Sequence, residues 1–273
     1  MKKIIIVLLS LSICFAINAQ QKAGTITYER KVNMRKTLKI QDEQMMAMMP
    51  EFRISQHLLL FSDSISVFRL VPEDEAPDPF AGSGGGARMM FRVGGDGGDL
   101  FKNFAQEKSI QVTELGGKNF LITDTIKQQP WKLSEETKTI LGYTCHKATR
   151  KITQPIGMIR ISTTNGSTTK DTSSVEKPKT KEVEVVAWFA DNIISPAGPE
   201  SYGLLPGVIL QIDVDNGATL FTALEIKKSV DPKELKEPKK GKIISRQDFN
   251  KMMTDMMSGG GGFGNTIRIT SGG

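Results

Sequence analysis

The side chains with the clearest chemical potential in this 273-residue chain are two histidines, two cysteines and thirteen methionines. A serine–histidine–acid triad could draw on His57 or His146, but no Gly-x-Ser-x-Gly elbow presents a serine nucleophile. No phosphate-binding loop, HExxH, CxxC or EF-hand pattern is present. Cys145 and His146 put two soft donors side by side. Neighbours in a strand point to opposite faces, so the pair does not chelate one ion. Gly94-Gly95-Asp96-Gly97-Gly98-Asp99 has the composition of one copy of a glycine–aspartate calcium repeat, and a single copy reads as a loop. These residues call for no cofactor and no metal, and the expectation is a protein that is not an enzyme.

Methionine is the compositional oddity. Met45, Met46, Met48, Met49, Met89, Met90, Met252, Met253, Met256 and Met257 come in pairs. Thioethers suit Cu(I), which makes a Met-rich copper-binding protein the alternative reading. Methionine is also a flexible apolar filler. Phe249, Met252, Met253, Met256 and Met257 recur at helical spacing, which places them on one face of a helix and accounts for them as packing surface.

The elements around these residues read mainly as strands. Thr25 to Val32 alternates, with Ile26, Tyr28, Arg30 and Val32 on one side. The runs 57–61 and 65–70 flank the turn residues Ser62-Asp63-Ser64. Gly116-Gly117 joins 109–115 to 119–126, and Asn216-Gly217 joins 207–214 to 218–227, both strong hairpin signals. Residues 142–148 and 183–190 are further strands. A short helix is expected over 42–49. The clearest helix follows Ser245, an N-cap supported by Asp248 three residues on. The expected fold is a single antiparallel, strongly curved, half-barrel-like sheet with few helices and one amphipathic C-terminal helix. Residues 20–230 form the β domain, with flexible loops near 72–98 and 164–182. Residues 231–273 supply a polar connector, the helix and a Gly-rich tail.

Residues 1–19 read as a signal peptide. Met1-Lys2-Lys3 is the positive start, Ile4 to Ile17 the apolar run and Ala19 the small residue before the cut. The chain is therefore expected to be exported, to the periplasm or outside the cell. Removal of Lys2 and Lys3 leaves 34 lysines and arginines against 30 acids, a net +4. No basic stripe interleaves with aromatics, so nucleic acid is not an expected partner. No segment of the mature chain is apolar and long enough to span a bilayer. Cys145 is left as the one cysteine, so no internal disulfide forms.

Several short blocks stand one after another along the chain. They are Trp131-Lys132-Leu133, Ile140-Leu141-Gly142-Tyr143-Thr144-Cys145 with Lys147-Ala148, Ala187-Trp188-Phe189, Gly198-Pro199, and Leu205-Pro206-Gly207-Val208-Ile209-Leu210. The stretch from about Trp131 to Ile226 resembles the GLPGLI family of exported Bacteroidetes proteins. Leu204 departs from it, standing where the naming motif has its first glycine, with Gly203 beside it. The resemblance implies a secreted or periplasmic protein of unknown biochemical function and carries over no catalytic residue.

Two readings of the 195–207 loop follow. It is a turn leading into a buried strand, with Trp131, Tyr143 and Trp188 as core aromatics. Otherwise it rims a ligand mouth, with Trp188, Pro199, Tyr202, Leu205, Pro206 and Gly207 as the lining. The Phe249–Met257 face is then a lid over an apolar concavity. The expected role is a binding or accessory protein for an apolar ligand or an envelope protein.

Overall fold

The computed structural model describes residues 21–37, 50–72, 98–155 and 180–258. The expected signal peptide, the expected helix over 42–49, the expected Gly-rich tail and most of both expected loops lie outside the described residues.

Twelve strands form one open sheet. They are β1 Gly24–Asn33, β2 Phe52–Phe61, β3 Ile65–Leu70, β4 Leu100–Asn103, β5 Lys108–Leu115, β6 Lys118–Thr125, β7 Lys132–Ile140, β8 Tyr143–Pro155, β9 Thr180–Ala190, β10 Val208–Val214, β11 Thr219–Lys227 and β12 Lys242–Ser245. Two helices complete the described part, α1 Met34–Thr37 and α2 Arg246–Ser258. The order across the sheet is β12-β6-β5-β4-β3-β2-β1-β11-β10-β9-β8-β7.

The hairpins expected at Gly116-Gly117 and Asn216-Gly217 form because their turn residues take left-handed backbone. Gly116 and Gly117 stand at φ 58° and 73°, and Asp215, Asn216 and Gly217 at 56°, 50° and 82°. The expectation of a purely antiparallel sheet is corrected at one edge, where β12 runs parallel to β6. A parallel neighbour requires a crossover rather than a tight turn. Residues 228–241 provide it, laying Val230 and Leu235 over Leu60, Val67, Phe101, Ile110 and Leu121 on the outer face.

Residues opposite one another across antiparallel strands share a face. The register therefore puts Ile26, Tyr28 and Arg30 of β1 on the same side as Leu59, His57 and Ser55 of β2. Phe68 and Ser66 of β3 follow, then Lys102 of β4. In the other direction the same face continues through Phe221, Ile212 and Ala187 to Ala148. This inner face holds the main core, including the fully enclosed Ile26, Tyr28, Leu59, Phe61, Ile212 and Phe221.

Candidate functional site

The loop between β9 and β10 lies over this inner face, and three cations on the face converge on it. Lys102 is 4% exposed. Its ammonium donates to the carbonyls of Gly198, Glu200 and Tyr202 at 3.1, 2.7 and 2.9 Å. An ammonium has three N–H donors, and here each has an acceptor. Burial pushes Lys102 down to about 7, while Glu200 holds it up. Arg30 pairs with Glu200 at 3.3 Å and lies 5.7 Å over the Phe221 ring.

Arg150 of β8 lies over two aromatic rings. Its Cζ is 4.7 Å from the centre of Trp131 and 5.2 Å from that of Tyr202. Both rings are held in place. The Trp131 indole N–H donates to the Gly203 carbonyl at 2.9 Å, and Tyr202 is 6% exposed. Burial pushes the Tyr202 phenol up to about 12, with Glu200 adding to the rise and Arg150 and Arg30 opposing it.

These contacts require the sheet to bend. Lys102 is on β4 and Arg150 on β8, seven strands along the order. At about 4.8 Å per strand they would stand about 34 Å apart on a flat sheet. Yet both touch Tyr202, one at its carbonyl and the other at its ring.

The loop is tied down along its length. The Ser195 hydroxyl donates to the Ser62 carbonyl at 2.7 Å. The Ile194 amide bonds to Gln21 and the Leu204 amide to Pro196, each at 2.8 Å. Gly203 stands at φ 155°, and a Cβ there would come within 2.6 Å of the Pro196 carbonyl. Leu204 takes the left-handed backbone itself, at φ 62°. The role of Gly207 differs from that expected of a turn glycine. Its φ is not positive, and it is required because a Cβ would meet the Ala190 carbonyl at 2.0 Å.

Of the expected mouth residues, Pro199, Tyr202, Leu205 and Gly207 are buried in this loop and Pro206 is exposed. Trp188 is not with them. It lies between the inward-facing Ala187 and Phe189 in β9 and so faces the other side. There Lys138 stacks 4.2 Å over its ring and bonds to Gln211. Sequence reasoning singled out the loop but passed over Lys102, Arg30 and Arg150. The alternation of β1 placed Arg30 on the buried face, which was a usable signal. Lys102, in a four-residue strand, gave none.

The other expected groups are separate. His57 is 2% exposed. It stacks on Phe68 at 5.0 Å and lies 3.1 Å from the Ser55 hydroxyl, enclosed in the core. Cys145 is fully enclosed, and burial pushes its thiol up to about 11. His146 lies 3.4 Å from Asp191. Among the described residues no group of three His, Cys, Asp or Glu side chains is placed to hold a metal ion.

Helix α2 docks at the far end of the inner face. The Ser245 hydroxyl accepts from the Asp248 amide at 3.0 Å and donates to its carboxylate at 2.6 Å. Phe249 is buried and meets Phe120 edge-on at 6.1 Å, with Ile122 in the same cluster. Met252, Met253 and Met256 are half-buried. The Met257 side chain lies outside the described residues.

The architecture is that of a mainly β protein built on one large, open, mixed sheet. Residues 131–211, which include Trp131, Arg150 and the whole loop, match the model of a family described as a protein of unknown function (Porph_ging). No curated protein matches the chain. Among solved structures the chain is similar to PNGF-II in its C2 crystal form, with a TM-score of 0.50 and 13% identity, over 85% of this chain and 33% of that one. The P21 form gives a TM-score of 0.48 and 14% identity over the same shares. The chain thus spans about a third of the length of that protein, and at this identity the likeness shows the fold alone.

Proposed function

We propose that the chain is a non-enzymatic, exported binding or accessory protein that takes an apolar ligand, or an apolar segment of an envelope partner, beneath α2. One observation carries this reading. Among the described side chains of α2, Phe249 alone is buried, against Phe120 and Ile122, while Met252 and Met253 pack half-buried on that cluster and Met256 is half-buried. Methionine repacks at low cost on different surfaces. A short helix held by one buried aromatic opens more easily than a fully packed one. The shape assumed is a half-barrel like that of the periplasmic lipoprotein carriers, with α2 as its lid. The loop over the opposite end is clamped and serves as a wall rather than a gate.

The test is a chain ending after Ser245. The reading expects a folded sheet that binds a hydrophobic dye more strongly than the full chain. It also expects apolar species to be carried by the full chain in native mass spectrometry. Unfolding of the shortened chain would make α2 part of the core. Unchanged dye binding with no carried ligand would refute the lid. Export is tested by intact mass of envelope-derived protein, which should begin at Gln20.

A further inference from the structure

We propose that Arg150 and Tyr202 form a binding site for the carboxylate of a small organic acid, on the inner face at the end opposite α2. The proposal does not depend on the lid. It rests on what the two side chains leave unused. Among the described residues Arg150 makes no ion pair and no hydrogen bond, and its Nε is buried without a partner. Among the described residues it lies over the rings of Trp131 and Tyr202. The neighbouring cations differ in this respect. Lys102 has three carbonyls and Arg30 has Glu200. The cluster thus holds three basic side chains and one carboxylate, and Arg150 is the one with neither a counterion nor a hydrogen-bond acceptor among the described residues.

A guanidinium lying over two aromatic rings is restrained by them, and its terminal N–H groups remain free to form a fork. That fork matches the two oxygens of a carboxylate. The Tyr202 hydroxyl likewise makes no hydrogen bond among the described residues, and its oxygen is not sealed from solvent. It supplies a second donor beside the fork. Burial keeps this phenol protonated throughout the neutral range. A monoanion fits better than a phosphate dianion, because Glu200 acts on the same phenol and would repel the second charge. The Trp131 and Tyr202 rings favour an acid with an apolar or aromatic body.

The experiment uses the mature full chain carrying Trp188→Phe, so that Trp131 is the one remaining tryptophan. The probe is benzoate, with benzyl alcohol as the uncharged counterpart and inorganic phosphate as a second anion. Benzoate should change the Trp131 emission saturably, while benzyl alcohol should not. Arg150→Gln should weaken benzoate binding at least about tenfold, the scale of a lost charge-assisted hydrogen bond. Tyr202→Phe, which removes one oxygen and leaves the stacking ring, should weaken it about threefold or more. This second variant carries the test if Arg150→Gln fails to fold. Absence of a saturable benzoate response overturns the site, as do equal responses to benzyl alcohol or affinities unchanged in both variants. Tighter binding of phosphate than of benzoate overturns the carboxylate assignment.

Discussion

Lys102→Met tests how the inner loop is held. The substitution keeps an unbranched apolar stem and deletes the ammonium. The carbonyls of Gly198 and Tyr202, both in buried bonds, and of Glu200, in a part-buried one, then lose their donor. A buried acceptor left without a partner costs about 1–3 kcal/mol, so the two buried carbonyls together cost about 2–6 kcal/mol. The opposing term is the charge itself. Burying an ion carries a penalty of several kcal/mol even after relaxation, and the substitution removes it. At pH 6, where Lys102 is charged, the expected balance is a net loss of about 1–3 kcal/mol in urea denaturation. Hydrogen exchange gives the local readout. The Leu204 and Ile209 amides, bonded to Pro196 and Ala197, should exchange faster while the paired amides of β1 do not. The pH dependence has a definite sign. The folded value lies at about 7, below the ordinary 10.5. Between those values the unfolded chain binds a proton that the folded chain lacks. Wild-type stability should therefore rise with pH across that window, and Lys102→Met should lack the rise. An unchanged urea midpoint with unchanged loop exchange would refute the clamp.

Tyr28→Phe removes a fully enclosed hydroxyl that donates to the Ile209 carbonyl at a register shift of β10; chemical denaturation should show a loss of about 1–3 kcal/mol. Cys145 should react slowly with a thiol reagent at pH 7.4, since its thiol is enclosed and pushed up to about 11, and fast labelling of native protein would contradict that placement. Phe249→Ala should cost about 3–5 kcal/mol if the ring is integral to the core. Because it anchors one end of a terminal helix, we expect the lower part of that range, together with raised dye binding.

Much of the sheet was legible because its hairpins are local. Gly116-Gly117 and Asn216-Gly217 specify their turns within a few residues, and the alternation around them sets the strand faces. Ser245 and Asp248 likewise marked the start of α2. What escaped was non-local. β12 is four residues long, and its partner β6 lies more than a hundred residues earlier, so only the crossover of 228–241 explains its parallel course. β4 is equally short and shows no alternation to read. Trp188 was grouped with the loop because the two lie near each other in sequence. Strand parity sends it to the opposite face. The cluster around Tyr202 draws its cations from β1, β4 and β8, and no spacing rule joins residues that distant.

The same distance governs the order in which the chain can become safe from aggregation. Lys102 finds its acceptors 96 to 100 residues later. The strands from β1 to β6 can pair as soon as they emerge, since each neighbour is close in sequence. Their inner face, with Leu59, Phe61 and Phe68, stays uncovered until residues 193–205 arrive to pack over it. Non-local closure of this kind is slow, and exposed apolar sheet in the interval invites self-association. A nascent chain stalled near residue 130 should therefore be the species that chaperones hold longest. Release should follow only when the loop between β9 and β10 has been synthesised.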